Sequence, residues 1–125
     1  MDVVLALGLK PVFVDIDLNT LCFDFNMLAQ KTHSKTKAIL ITYLFGLVPN
    51  MREIISFCRE KKLFIIEDFS HNLNAKFMNR KLGTFGDVGI YSCSITKTLD
   101  AYGGGIAVTD DSKLAQALQN SKLKL

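Results

Sequence analysis

The stretch Ala38–Asp68, AILITYLFGLVPNMREIISFCREKKLFIIED, decides the fold. It opens on Ala38-Ile39-Leu40-Ile41 and closes on Leu63-Phe64-Ile65-Ile66, two unbroken apolar runs of strand length. Runs of this kind belong to strands with helices over both faces, because a strand with one wet face alternates apolar and polar residues. Between them Phe45-Gly46 turns the chain, and Asn50 stands as the N-cap of a helix through Lys62. Met51, Ile54, Ile55 and Cys58 fall on one face of that helix. Strand, helix, strand is the pattern of a parallel pair with a right-handed crossover. The second strand ends abruptly in Glu67-Asp68.

Upstream, Pro11-Val12-Phe13-Val14-Asp15-Ile16 is rich in β-branched and aromatic residues and reads as a strand. Phe25 to Thr32 reads as a short helix with Asp24 as its cap. Downstream, Asn72 to Phe85 is polar and glycine-punctuated, with a hairpin expected around Asn79-Arg80. Val88 to Ser94 and Gly105 to Thr109 read as strands, separated by a loop that holds Lys97 and ends in Gly103-Gly104-Gly105. Asp110-Asp111-Ser112 opens a last helix from Lys113 to about Asn120, with Leu114, Ala117 and Leu118 on its inner face. No internal repeat or linker interrupts this order. The prediction is a three-layer α/β/α domain with a mainly parallel sheet.

Composition narrows the function classes. The 125 residues suit one domain, and 49% apolar with 22% charged residues and two prolines is not a disordered chain. The net charge of +3 comes from basic residues in pairs and singles, not a stripe, so no nucleic-acid partner is expected. Cys22, Cys58 and Cys93 are odd in number and far apart, which excludes a disulfide framework and a C-x-x-C metal or redox site and suits a reducing cytoplasm. The apolar run Val3 to Leu9 is much shorter than the ~20 residues of a membrane-spanning helix. Asp2 stands where a signal peptide carries positive charge, and no small-residue cleavage site precedes Pro11, so neither a membrane partner nor a signal peptide is expected.

In a parallel sheet the ligand site lies beyond the carboxyl ends of the strands. That rule selects Asp68 and His71 after one strand, and Ser92, Ser94, Thr96 and Lys97 at the end of another. Each alone has a bland reading: Asp68 as a helix cap or loop ion pair, His71 as a structural histidine, Lys97 as a solvated loop lysine. The glycine triplet lacks the spacing of a Walker loop and of G-x-G-x-x-G. Together, however, they fit pyridoxal 5'-phosphate, which needs an amine for a Schiff base, an anion facing its ring nitrogen and donors for its phosphate.

At these residues the chain resembles a known family. Pro11 to Asp17, Thr36-Lys37-Ala38-Ile39, Glu67-Asp68-Phe69-Ser70-His71, and Ser92 through Lys97 with Tyr102-Gly103 are similar to the DegT/DnrJ/EryC1/StrS sugar aminotransferases, collinearly from about Val3 to the last helix. The resemblance implies the large domain of a fold-type-I pyridoxal-phosphate transferase. Its implied substrates are a nucleotide-linked keto-sugar and an amino donor such as glutamate, in polysaccharide or antibiotic sugar biosynthesis. It also implies a homodimer whose active site takes residues from both subunits.

Carried over by residue, Asp68 resembles the aspartate paired with the pyridine nitrogen, and His71 the residue near the ring hydroxyl. Ser92 resembles the serine on the phosphate, and Lys97 the lysine that forms the Schiff base and shuttles the proton. A dehydratase branch of the family has histidine in place of that lysine, so Lys97 favours transamination. The family commonly has alanines where this chain has Phe69 and Ser70, and bulk there is expected to crowd the cofactor ring. Residues 1–125 are expected to be a single partial large domain, without the family's upstream segment and small C-terminal domain. Such a chain is expected to self-associate through exposed edges or to depend on a missing partner segment, and to turn over weakly or not at all alone. Two other readings stay open: a non-catalytic α/β remnant that binds pyridoxal phosphate or a partner without turnover, and a plain nucleotide-binding module.

Overall fold

The computed structural model describes residues 2–122. They divide between Thr36 and Lys37 into two units.

The first unit holds two helices, α1 (Asp2–Ala6) and α2 (Phe25–Lys31). Asp24 caps α2 as expected, its carboxylate accepting from the Met27 N–H at 3.0 Å. The segment Pro11 to Ile16 is not a strand. Only Ile16 pairs, in a single antiparallel bridge with Phe23, and Val12 and Phe13 are exposed. The reason is that β-branched residues fit a pleated surface without supplying one, and a strand exists only with a ladder partner. Here Asp17 turns the chain at once, its Oδ1 accepting from the Asn19 and Thr20 N–H groups at 2.7 and 3.0 Å.

The second unit is built on a four-stranded sheet. Strand β1 (Ala38–Thr42) leads through a short 3-10 turn (Leu44–Gly46) and helix α3 (Met51–Lys61) to β2 (Phe64–Asp68). A small hairpin of β3 (Lys76–Phe77) and β4 (Arg80–Lys81) follows, then β5 (Val88–Ser92), β6 (Gly105–Val108) and helix α4 (Ser112–Lys122). The sheet order is β1-β2-β5-β6. The first three strands are parallel, and β6 runs antiparallel to β5. The mainly parallel sheet is therefore as predicted, as are the places of its strands.

Local chemistry explains the element ends. Lys62 adopts a left-handed conformation and closes α3 by donating to the Arg59 and Cys58 carbonyls. The hairpin turns at Met78-Asn79, both at positive φ, as a two-residue loop requires. That is one residue before the predicted position. Asp111 caps α4 through its Oδ1 to the Lys113 and Leu114 N–H groups. Leu114 and Ala115 are half-buried on this helix, whereas Ala117 and Leu118, expected on the inner face, are exposed.

The faces of the sheet are unequally buried. Ile39 and Ile41 of β1 and Ile65 of β2 join Met51, Ile54 and Cys58 of α3 in the core. On the other face Leu40 is 54% exposed, and Phe64 and Ile90 are exposed as well. The unbroken apolar runs thus belong to strands that alternate in burial among the described residues, and the expected cover on both faces is incomplete in them. Apolar composition marks a face as able to be buried; only a packed neighbour buries it.

Gly89 of β5 sits against the carbonyl of Gly83, to which an added Cβ would come within 2.2 Å. Both atoms are backbone, so neither can move aside cheaply. Gly89→Ala is expected to destabilise the fold by about 2–3 kcal/mol, read as a lower urea midpoint with an unchanged slope.

Candidate functional site

Two consecutive carboxylates end β2, and the pleat sends them to opposite faces. Glu67 continues the phase of Ile65 into the core and is 0% exposed. Its Oε2 accepts from the Tyr43 hydroxyl at 2.6 Å and from the Gly83 N–H at 2.9 Å, and its Oε1 accepts from the Gly86 N–H. A buried carboxylate is tolerated because these donors replace its water. Burial first, then the hydrogen bond and negative charge of Glu67, push the Tyr43 hydroxyl far above its ordinary value. The same loop ends in Asp87, whose Oδ2 accepts from the Ile65 N–H at 2.7 Å. Burial and the Asp87 charge together push the Cys58 thiol up to about 11.

Asp68 faces the other way and is half-buried at the carboxyl end of β2. Its Oδ1 accepts from both the N–H and the hydroxyl of Ser70, at 3.0 and 2.5 Å. The Ser70 oxygen in turn accepts from the Ser92 N–H at 2.9 Å. One hydroxyl therefore joins Asp68 to the last residue of β5. Among the described residues, neither Asp68 Oδ2 nor the Ser92 hydroxyl makes a hydrogen bond.

Phe69 does not crowd this side. Its ring lies tilted on Tyr91 at 5.4 Å and fills the space over Gly83, where a Cβ would come within 2.4 Å of it. The alternation that turns Asp68 outward turns Phe69 inward. Ser70 stands beside Asp68, as a donor to it.

Lys97 lies on the loop between β5 and β6. Cys93 closes the base of that loop, donating to the Gly104 carbonyl and accepting from the Ala101 and Gly103 N–H groups. Tyr102, Gly103 and Gly104, all at positive φ, bring the chain back into β6. The Tyr91 hydroxyl reaches up to accept from the Leu99 N–H at 3.0 Å, two residues beyond Lys97. Lys97 is half-buried, and among the described residues its ammonium makes no ion pair or hydrogen bond. His71 is exposed, edge-on to Phe45 at 6.3 Å, and joins neither Asp68 nor Ser92 by a hydrogen bond. Sequence reasoning passed over Glu67, Ser70 and Tyr91. Glu67 alone carried a signal, since its two-residue phase with Ile65 points it into the core.

The sequence profile of the DegT/DnrJ/EryC1/StrS aminotransferase family matches residues 1–123. The chain belongs to this family. It is 36% identical over 107 residues to GDP-perosamine synthase of Escherichia coli O157:H7, covering 86% of this chain and 29% of that protein. The structure of DesI in the presence of its TDP-sugar product is similar with a TM-score of 0.88 at 30% identity, over 94% of this chain and 30% of that one. GDP-4-keto-6-deoxy-D-mannose-3-dehydratase of E. coli, with bound hydrated PLP, is similar with a TM-score of 0.83 at 34% identity, over 93% of this chain and 30% of its own. The fold is thus that of the fold-type-I transferases, and the chain spans less than a third of the length of these relatives. No helix among the described residues is long and apolar enough to cross a membrane.

Two outcomes follow from the buried groups. Glu67→Ala leaves two glycine N–H groups without their acceptor and the Tyr43 hydroxyl with only the Met51 sulfur, and is expected to cost about 3 kcal/mol or more in urea unfolding, with Glu67→Gln costing less. Because Cys58 and Tyr43 both hold their protons more tightly when folded, their stabilisation is full below the ordinary thiol value of 9.0. The Cys58 part is lost as pH climbs from there toward its folded value of about 11, and the Tyr43 part only above the ordinary phenol value of 10.0. The loss approaches ~1.4 kcal/mol per pH unit for each such group. Urea midpoints taken from pH 8 to 10.5 should fall, and fall less steeply in Cys58→Ala.

Proposed function

We propose that this chain is the cofactor-holding part of a pyridoxal-phosphate-dependent aminotransferase that delivers an amino group to a nucleotide-linked keto-sugar. The observation that carries the reading is the polar set at the carboxyl ends of β2 and β5. Among the described residues Asp68 keeps one carboxylate oxygen unengaged, Ser92 keeps its hydroxyl unengaged, and the following loop bears a lysine without a counter-ion. This donor and acceptor chemistry fits the cofactor: an anion for a protonated ring nitrogen, a hydroxyl for a phosphate and an amine for a carbonyl. When bound, the cofactor supplies an electron sink for the substrate's reacting carbon.

The roles of the chain's own residues follow. Asp68 would accept the ring N–H at Oδ2 and keep the nitrogen protonated. Ser92 would donate to the phosphate, and His71 would lie near the ring hydroxyl. Lys97 would hold the cofactor through its amine and move a proton at Nζ, with a lysine rather than a histidine there favouring amino transfer over dehydration. The full reaction we assign is exchange between an amino donor such as glutamate and the keto-sugar. It supplies amino sugars for polysaccharide or antibiotic sugar biosynthesis, in a cytoplasmic homodimer. The family membership and the sugar-processing relatives support this assignment.

Purified chain mixed with pyridoxal phosphate should develop a visible absorption band, and borohydride reduction followed by peptide mapping should place the label on Lys97. Lys97→Ala should lose both. A label scattered over surface lysines would overturn the assignment. Amino transfer by the 125-residue chain alone is expected to be weak or absent even with cofactor bound.

A further inference from the structure

Ser70 is 5% exposed and uses its hydroxyl in both capacities. It donates to Asp68 Oδ1 and accepts from the Ser92 N–H. The Ser70 N–H adds a second bond to the same Oδ1. Two donors on one oxygen stop the Asp68 carboxylate from turning about its last torsion, which is otherwise a broad, soft one. They also leave Oδ2 as the oxygen of this carboxylate without a partner among the described residues. The same hydroxyl tethers the backbone of Ser92, so the residues assigned to the ring nitrogen and the phosphate hang on one oxygen atom. An alanine at this position could do neither.

We infer that Ser70 is a positioning residue for the cofactor. It holds the Asp68 carboxylate with Oδ2 free for the ring N–H, and it sets the end of β5 so that Ser92 is held at a fixed distance from it. The inference rests on the proposed cofactor reading and adds a residue that never touches the cofactor. Its physical basis is preorganisation, in which a group already fixed in its binding orientation need not be ordered when the ligand arrives.

The experiment compares wild type, Ser70→Ala, Ser70→Thr and Ser70→Cys in the whole 125-residue chain. One readout is the affinity for pyridoxal phosphate, from the visible band; the other is amide hydrogen exchange at Ser92 without cofactor. Ser70→Ala is expected to weaken cofactor binding about tenfold, as loss of one net hydrogen bond implies, and to speed Ser92 exchange. Ser70→Thr restores the hydroxyl and should recover both. Ser70→Cys keeps the volume but bonds weakly, and should move both readouts in the alanine direction, which keeps the test open if the alanine variant does not fold. Wild-type affinity in a folded Ser70→Ala or Ser70→Cys chain overturns the inference alone. Failure of the wild-type chain to take up pyridoxal phosphate overturns the cofactor reading and the inference with it.

Discussion

A carboxylate buried in the core is the constraint around which this structure is arranged. Glu67 lies in the core of the sheet, and its charge is held there by the Tyr43 hydroxyl and the N–H groups of Gly83 and Gly86. Those partners come from the end of β1 and from the loop that crosses between β2 and β5. Satisfying one side chain therefore draws the crossover loop down onto the sheet. Gly83 and Gly89 lack side chains where that loop meets β5, and Phe69 fills the space left over Gly83. The arrangement is expensive to disturb because desolvation of the charge has already been met by specific donors.

The face that carries Asp68 inherits its orientation from the same residue. With Glu67 locked inward, the pleat leaves Asp68 no choice but the opposite face, at the carboxyl end of a parallel strand. Asp68 is then restrained by Ser70, and Ser70 by the end of β5. The two polar systems, one buried and structural, one half-buried and open to a ligand, are thus separated by the alternation of a single strand. Tyr91 repeats the theme on β5: its ring packs inward on Phe69, and its hydroxyl supports the loop that carries Lys97.

Much of this was legible in the chain. Asp68, Ser92 and Lys97 stand out because they end or follow apolar runs, and because the parallel-sheet rule points to those ends. The helix caps at Asp24 and Asp111 were readable from local chemistry alone. The segment Pro11 to Ile16 was misread because its residue types favour a pleated surface, and among the described residues it finds only the single bridge from Ile16 to Phe23. Among the described residues the cover inferred over both faces of β1 and β2 is incomplete. An apolar run records what can be buried, whereas exposure of Leu40, Phe64 and Ile90 records what is packed there.

Sequence by itself determined the order of elements from Phe25 onward, the family and the residues that end the strands, since periodicity, capping and motif spacing are local properties of the chain. Tertiary structure alone decided which polar atoms meet. Glu67 reads as a strand terminus until Tyr43, 24 positions away, and the Gly83–Gly86 loop close around it. Ser70 reads as a departure from a family pattern until its hydroxyl is found between Asp68 and the Ser92 backbone, 22 positions further on. Hydrogen bonds need partners within about 3 Å in space, and separation along a chain says nothing of that distance until the sheet has formed.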